Sequence, residues 1–362
     1  MNRFHGRLAV QQRVLPNYRA PFFDLLASAC EGGMSLFSGL PRPSEGITVA
    51  NQLKIAHYKL GQNVHLFNGS LYLCYQRGLV DWLENWTPDA LIVEANPRYL
   101  STPSAIKWMQ RRDKPVIGWG LGSPPVGGVQ EQGRISFIRQ FDGLISYSQR
   151  GADEYAALGF PREKIFVAYN SVSAPPASPL PARPLTFDPR PAILFVGRLQ
   201  ARKRVDSLLR ACTQLTPRPR LIIVGDGPER ESLESLAREI YPTAEFIGGR
   251  HGAELKSFFT EADLFVLPGT GGLAVQEAMS HGLPVIVAKG DGTQDDLVRK
   301  GNGWQIPPDD FGALLSTMKD ALSDIARLRR MGEESYRIVR DEINIEKMVE
   351  TFVKALNVLS GK

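Results

Sequence analysis

The sequence lacks any apolar run long enough to cross a membrane, since no stretch approaches the roughly 18 uninterrupted apolar residues of a spanning helix. The opening residues MNRFHGRLAVQQRVL lack the apolar core and cleavage site of a signal peptide, so we expect a cytoplasmic location. Cysteine is scarce and odd in number: Cys30, Cys74 and Cys212 have neither pairing nor metal-site spacing. This excludes a disulfide framework and predicts a reducing compartment.

Acidic residues are in short supply in the first half of the chain. Residues 1–190 carry a net charge of +6 and the remainder −1, which gives +5 in total. A basic half favours anionic partners, and we expect peripheral contact with the inner face of a membrane; ordinary solvated charge is the alternative. Lysine–aromatic interleaving is absent, so no nucleic-acid partner is expected. No Asp-x-Asp metal loop occurs, and we expect neither a metal nor a cofactor.

Short apolar runs alternate with helical patterns along the whole chain, which predicts an α/β fold with parallel sheets covered on both faces. The helical patterns include residues 71–86. The predicted strands are 8–15, 90–95, 115–120, 143–148, 164–169, 192–197, 220–225, 244–249, 263–268, 283–288 and 303–307.

Seven prolines between residues 171 and 191 interrupt this alternation. Proline disfavours both helix and ladder, so the segment predicts a linker between two domains. The expected division is an acceptor-binding domain at 1–173, a Pro-rich linker at 174–191 and a donor-binding domain at 192–340. A C-terminal helix at 341–362 is expected to pack back on the first domain.

Basic residues follow the predicted strand AILFVG in the stretch VGRLQARKR. A glycine turn after a strand exposes backbone N–H groups, and Arg198 can grip a phosphate bidentately while Lys203 adds a point charge. The alternative is a solvated basic turn. A second turn, GDGPE, has only two of the three glycines of a dinucleotide fingerprint, which favours a structural role.

The stretch PGTGGLAVQEAMSHG exposes unusual amounts of backbone before a short helical pattern. Gly269, Gly271 and Gly272 let a ligand approach the main chain, and the N–H groups at the start of the helix are free donors. Glu277, one turn inside, suits two vicinal hydroxyls such as those of a ribose. The alternative is a tight turn in which the glutamate favours the helix dipole.

As a set, VGRL with Lys203, GDGPE, ADLFVLP and the pattern G-L-x3-EAM-x2-G-x-PVI resemble the donor domain of retaining GT-B glycosyltransferases of family four, over residues 192–305. The resemblance implies two Rossmann-like parallel-sheet domains facing across a cleft. It implies that Arg198 and Lys203 hold the donor diphosphate and act in catalysis, and that Glu277 bonds the ribose. The donor-binding residues expected are Gly197, Gly269, Thr270, Gly271, Gly272, Leu273, Ala274, Glu277 and Arg250.

One position departs from the family pattern. The first glutamate of the E-x7-E motif, which contacts the donor sugar in the family, is replaced by Gly269. We expect the backbone at 269–271 to take over part of its role, and a Gly269→Glu variant to change donor preference.

The first half resembles the family more loosely. Residues 14–27, VLPNYRAPFFDLLA, are similar to the strand, loop and helix that line the acceptor cleft. Other candidates follow the runs ALIVEA and PVIGWG, where open sheets place cleft residues. The expected acceptor-cleft residues are Tyr18, Arg19, Glu94, Asn96, Arg98 and Gly120.

The resemblance implies transfer of a sugar from a UDP- or GDP-sugar to an acceptor hydroxyl, with retention and without a metal. The acceptor is a sugar, a lipid-linked saccharide or a small molecule, and the expected context is surface polysaccharide or glycolipid synthesis. Two alternatives are a nucleotide-sugar-binding protein without turnover, favoured by the missing glutamate, and a GT-B nucleotide-sugar epimerase.

Overall fold

The computed structural model describes residues 2–124, 127–180, 182–250, 252–270, 272–290 and 292–361. The chain divides into two compact units, Met1–Val172 with Ile345–Lys362 and Ser173–Asn344. The last helix therefore belongs to the first unit, and most of the Pro-rich segment belongs to the second. None of the helices in these ranges combines the length and apolar character needed to cross a bilayer.

The first unit contains a seven-stranded parallel sheet in the order β3-β2-β1-β6-β7-β8-β9, and a separate antiparallel pair β4-β5. Its strands are β1 Leu8–Val14, β2 Met34–Gly39, β3 His57–Leu60, β4 Gln62–Leu66, β5 Leu73–Arg77, β6 Ala90–Glu94, β7 Val116–Gly120, β8 Gly143–Ser146 and β9 Ile165–Val167. Its first five helices are α1 Ala20–Ser28, α2 Leu79–Trp86, α3 Thr102–Gln110, α4 Gly128–Ile138 and α5 Gln149–Ala157.

The second unit contains a six-stranded parallel sheet in the order β12-β11-β10-β13-β14-β15. Its strands are β10 Ala192–Val196, β11 Arg220–Val224, β12 Glu245–Gly248, β13 Leu264–Leu267, β14 Val285–Ala288 and β15 Gly303–Ile306. Its helices are α6 Val205–Thr213, α7 Arg230–Ile240, α8 Lys256–Glu261, α9 Ala274–Ser280, α10 Thr293–Leu297, α11 Phe311–Ser323 and α12 Ile325–Asp341. The central strands are buried along their whole length, as strands covered on both faces must be.

The last helix, α13 Ile345–Leu359, completes the core of the first unit. Phe352 has no exposed surface, and its ring centroid lies 5.1 Å from that of Phe22 in α1 and 4.9 Å from that of Trp119 in β7. Both ring pairs are edge-to-face, the arrangement that aromatic quadrupoles favour. The sheet therefore depends on a helix that is distant in sequence to cover one face.

The predicted α/β fold with two parallel sheets is confirmed, but part of the first unit differs from the prediction. The strands Met34–Gly39 and His57–Leu60 were not predicted, because they are short and lack clear alternation. The helical interpretation of residues 71–86 is wrong for its first half: Leu73–Arg77 is a strand, and the helix begins at Leu79. Pairing with β4 overrides the local helical spacing there.

The role of α13 predicts that Phe352→Ala lowers the free energy of unfolding of the first unit by about 3–5 kcal/mol, the usual cost of removing a buried aromatic side chain. Urea unfolding followed by tryptophan fluorescence measures this, since four of the five tryptophans precede residue 120. Val358→Ala, at a half-exposed position of the same helix, is the matched control and should change stability by less than about 0.5 kcal/mol. Equal effects of the two substitutions would contradict the packing role.

Candidate functional site

Three loops that carry the sequence motifs meet at the carboxyl edge of the second sheet. Strand β10 lies between β11 and β13, so the loops after these strands are neighbours. They begin at Gly197, Gly225 and Pro268. In parallel α/β sheets this edge is where ligands bind.

The GDG turn after β11 packs closely against the loop after β10. A Cβ atom at Gly225 would lie 1.9 Å from the carbonyl oxygen of Gly197, and one at Gly227 would lie 2.3 Å from that of Leu199. The Leu199 N–H donates to the Asp226 carbonyl at 2.9 Å. The two glycines therefore permit close packing of two loops, as a structural role for this turn requires.

The loop after β13 is joined to the turn that carries Lys203. The Thr270 N–H donates to the Arg202 carbonyl at 3.2 Å, and the Lys203 ammonium donates to the Thr270 carbonyl at 2.8 Å. A Cβ at Gly269 would lie 2.0 Å from the Arg202 oxygen and 2.5 Å from the Lys203 Cα. Residue 269 must therefore be glycine for the two segments to approach this closely. A Gly269→Glu variant can adopt this fold only if the turn at 202–203 moves.

Lys203 is a buried cation. Its residue is only 5% exposed, and a Cβ at Gly272 would lie 3.9 Å from the ammonium nitrogen. Burial, together with a smaller effect of the charge of Arg202, lowers the pKa of Lys203 to about 8. A desolvated ammonium beside glycine-rich backbone is suited to an anion, because an anion restores the solvation that burial removed.

The other expected donor residues are distributed along the same edge. Arg198 is exposed in the loop after β10, and Leu273 precedes α9, in which Ala274 is the first residue. Glu277 is partly buried in the first turn of that helix. Gly271 lies outside the described residues. Arg250 is exposed in the loop after β12 and donates to the neighbouring Gly249 carbonyl at 2.9 Å. Its role in donor binding stays a prediction.

In the first unit, four of the expected acceptor residues line one cavity of about 450 Å³. Glu94 is the last residue of β6 and Gly120 the last of β7, so this cavity also lies at the carboxyl edge of its sheet. Asn96 and Arg98 form its loop wall, where the Asn96 side chain accepts a hydrogen bond from the Arg98 N–H at 3.1 Å.

Glu94 is the acidic group of this cavity. Burial raises the pKa of its carboxyl to about 7, although the Arg13 N–H donates to it at 2.6 Å and the charge of Arg13 opposes the rise. The carboxyl therefore changes protonation near neutral pH. A group with this property at a strand end is typical of functional sites.

Tyr18 and Arg19 do not line that cavity. Tyr18 is 50% exposed, whereas Arg19 is buried and donates to the Ser171 carbonyl at 3.2 Å and to the Asn170 side chain. The Arg19 guanidinium also lies 5.8 Å from the Trp119 ring centroid. Arg19 thus ties the loop after β1 to the end of the first unit.

Comparison with known proteins identifies the segment that holds the donor motifs. Residues 180–338 match the model of glycosyl transferases group 1. We refer to the second unit, which contains this match, as the group 1 domain. Relatives include the putative colanic acid biosynthesis glycosyltransferase WcaL of Escherichia coli, 30% identical over 195 residues, which are 49% of this chain and 47% of WcaL.

A GDP-mannose-dependent alpha-mannosyltransferase of Mycobacterium tuberculosis is 39% identical over 128 residues, 34% of this chain and 32% of that protein. The chain thus aligns with about half or less of the length of these relatives. Among solved structures, Anabaena Alr3699/HepE in complex with UDP superposes with a TM-score of 0.72 at 16% identity, over 99% of this chain and 100% of that one. Such a likeness shows the GT-B fold.

Some residues of the first-unit cavity were not predicted. Tyr147 follows β8 and lines the cavity beside Glu94, as do Tyr99, Tyr155 and Arg134. The strand-end rule that selected Glu94 also points to Tyr147, because β8 ends at Ser146 and Tyr147 follows it directly, two residues before α5 begins at Gln149. Tyr155 and Arg134 come from helices α5 and α4, and no local signal marks them.

The group 1 domain also contains a larger cavity of about 1000 Å³ beneath the Pro-rich segment. None of the expected donor residues lines it. Its walls include Ala192, Arg220 and Glu245, which begin β10, β11 and β12, so it lies at the amino edge of the sheet. Size alone therefore does not select the functional site.

The contact beneath Gly269 predicts that Gly269→Ala destabilises the group 1 domain by about 1–3 kcal/mol, because the new methyl group meets backbone atoms that cannot rotate away. Thermal unfolding measures the loss. Gly133→Ala, at a helical position where a Cβ would have no neighbour within 4 Å, is the control and should be neutral or stabilising. A Gly269→Ala variant as stable as the wild type would show that the turn at Arg202 and Lys203 does not require glycine at position 269.

Proposed function

We propose that this chain is a retaining glycosyltransferase that moves a sugar from a UDP- or GDP-sugar to an acceptor hydroxyl, without a metal or another cofactor. The observation that carries the proposal is the buried Lys203 ammonium, held by the Thr270 carbonyl between the two motif loops of the group 1 domain. The names of the relatives and the UDP complex of the Anabaena structure support a nucleotide-sugar donor.

In this proposal the donor diphosphate lies against Lys203 and Arg198. Helix α9 has only seven residues, so its dipole is a minor contribution and the two cations supply most of the attraction. Glu277 accepts hydrogen bonds from the ribose hydroxyls. Backbone groups between residues 269 and 272 face the sugar, since the turn at 202–203 occupies the space where the family's first glutamate would need its Cβ.

The cations act on the chemical step as well as on binding. As the glycosidic bond breaks, negative charge develops on the departing diphosphate, and positive groups already in position stabilise it. The leaving phosphate oxygen accepts the proton of the attacking hydroxyl on the same face of the sugar. This route gives retention and requires no separate protein base.

The acceptor is assigned to the first unit, in the cavity that contains Glu94, Asn96, Arg98 and Gly120. Tyrosine and asparagine side chains beside a carboxyl that titrates near neutral pH are suited to hydroxyl groups of a saccharide. Because WcaL is named for colanic acid biosynthesis, we assign the chain to surface polysaccharide or glycolipid synthesis in the cytoplasm, with peripheral membrane contact through the basic half.

A second candidate is a nucleotide-sugar-binding protein without turnover, and Gly269 is the observation that favours it. A panel of UDP- and GDP-sugars, assayed for released sugar and for transfer to saccharide acceptors, separates the two. Transfer of the sugar from one donor with its anomeric configuration retained, or release of free sugar from that donor, supports the transferase. Tight diphosphate binding without turnover on any acceptor supports the binding protein, and sugar isomerisation supports an epimerase.

The proposal predicts that Arg198→Ala and Lys203→Ala each lower turnover of the preferred donor by at least about tenfold, because each removes a charge-assisted contact to the leaving group. Initial rates at saturating acceptor measure this. Arg238→Ala, at an exposed position of α7, is the matched control and should retain the wild-type rate. Wild-type rates in both site variants would contradict the assignment of Arg198 and Lys203 to the donor diphosphate.

A pH dependence follows from the lowered pKa of Lys203. Without a bound ligand, the Lys203 ammonium loses its proton as pH rises through about 8. A bound diphosphate stabilises the cationic form. Binding above pH 8 must therefore take up a proton, and affinity should fall by up to about tenfold per pH unit. Calorimetric Kd values between pH 7 and pH 10 test this, and a Lys203→Arg variant, which stays charged, should bind equally across the range.

A further inference from the structure

The antiparallel hairpin β4-β5 has an inverted distribution of polar and apolar side chains. On the side that packs on the unit, the Asn63 side chain donates to the carbonyls of Arg13 at 2.7 Å and Leu40 at 2.9 Å. Gln76 on the partner strand is buried and donates to the Gln12 carbonyl at 3.0 Å. The inner face of the hairpin, which also carries His65 and Cys74, therefore holds it to the unit partly through polar side chains.

The outer face is mainly apolar, with the polar pair Gln62 and Arg77 at one end. The register pairs Leu66 with Leu73 and Val64 with Tyr75, and directly opposed residues share a face of an antiparallel pair. Leu66 and Tyr75 are 37% and 44% exposed. More than half of the large apolar side chains that are exposed among the described residues fall in this part of the chain: Leu40, Ile55, Leu60, Leu66, Phe67, Leu71 and Tyr75.

The turn of the hairpin adds two apolar side chains with no packing role. Phe67 and Leu71 are 67% and 71% exposed. Phe67 has φ 58°, in the left-handed region that asparagine and glycine adopt readily and a bulky aromatic residue does not. The fold thus keeps a strained phenylalanine whose ring contributes little to the interior.

The segment of sequence around the hairpin is mostly basic. Between residues 32 and 80 the sequence has a single acid, Glu45, against four basic residues, Arg42, Lys54, Lys59 and Arg77. Glu45 is already paired with Arg13 at 3.0 Å and with Arg42 at 3.3 Å. Lys54 and Lys59 are exposed. Arg77 lies on the outer face opposite Gln62 and is exposed. An apolar face that carries a basic side chain complements a bilayer that contains anionic lipids.

We infer that the outer face of the β4-β5 hairpin, with Phe67 and Leu71 at its turn, docks on an anionic lipid surface. The apolar side chains enter the boundary between headgroups and acyl chains, and Arg77 pairs with lipid phosphates. This inference deepens the peripheral membrane contact of the proposed function and does not depend on sugar transfer.

Cosedimentation of the full chain with phosphatidylcholine vesicles, with and without phosphatidylglycerol, tests the docking. The wild type should bind only the anionic vesicles, and less at high salt. The double variant Phe67→Asn with Leu71→Ser should bind at least about tenfold more weakly. Because asparagine relieves the backbone strain, Phe67→Asn alone should melt no lower than the wild type.

Matched controls separate docking from other effects. Val129→Ser with Val358→Ser, which removes two exposed apolar side chains elsewhere in the first unit, should bind like the wild type. Arg77→Gln should weaken binding and reduce its salt dependence. Calorimetry with UDP and GDP should be the same for wild type and hairpin variants, so failure of docking is distinguishable from failure of the donor assignment.

Two results would overturn the inference. One is equal vesicle binding by the wild type and the Phe67→Asn, Leu71→Ser variant. The other is a wild-type dimer in light scattering that the same variant dissociates, since the face would then be an interface between copies of this chain.

Discussion

The contact between the turn at Arg202 and Lys203 and the loop after β13 is the constraint on which the candidate donor site depends. The Arg202 carbonyl accepts a hydrogen bond from the Thr270 N–H, and the Lys203 ammonium returns one to the Thr270 carbonyl. Only glycine at position 269 leaves room for this approach. The result is a cation that is desolvated before any ligand arrives, beside a glycine-rich backbone that a ligand can approach. Preorganised charge of this kind needs no rearrangement when negative charge develops on a leaving group.

The same contact accounts for the departure from the family motif at Gly269. A carboxylate at this position would need a Cβ where the Arg202 oxygen lies, so the glutamate and the close turn exclude each other. Loss of the carboxylate leaves the neighbourhood of Lys203 more positive, which favours a diphosphate and removes one acceptor for sugar hydroxyls. In the proposed reaction, binding of the nucleotide and stabilisation of the leaving group therefore depend on the cations, while the sugar is held mainly by backbone groups.

Much of the architecture was accessible from the sequence because strands buried on both faces are continuous apolar runs, as AILFV and LFVL are. The hairpin was not, because Leu73–Arg77 has helical spacing and becomes a strand only by pairing with β4. The strand-end rule located Glu94, Asn96 and Arg98 around one cavity, since strand ends are local features. The interior position of Arg19 and the contact beneath Gly269 involve residues 67 to 152 positions apart, and no local pattern reports such contacts.

The central claim is that a nucleoside diphosphate binds against the buried Lys203 ammonium. Calorimetric titration of UDP and GDP at about pH 9, in buffers of different ionisation enthalpy, measures it most directly through the number of protons taken up on binding. Since the pKa of Lys203 without a bound ligand is about 8, the side chain is neutral in most molecules at this pH. The account predicts uptake of close to one proton per diphosphate, and none in a Lys203→Arg variant. A binding heat that is independent of the buffer in the wild-type protein would contradict it.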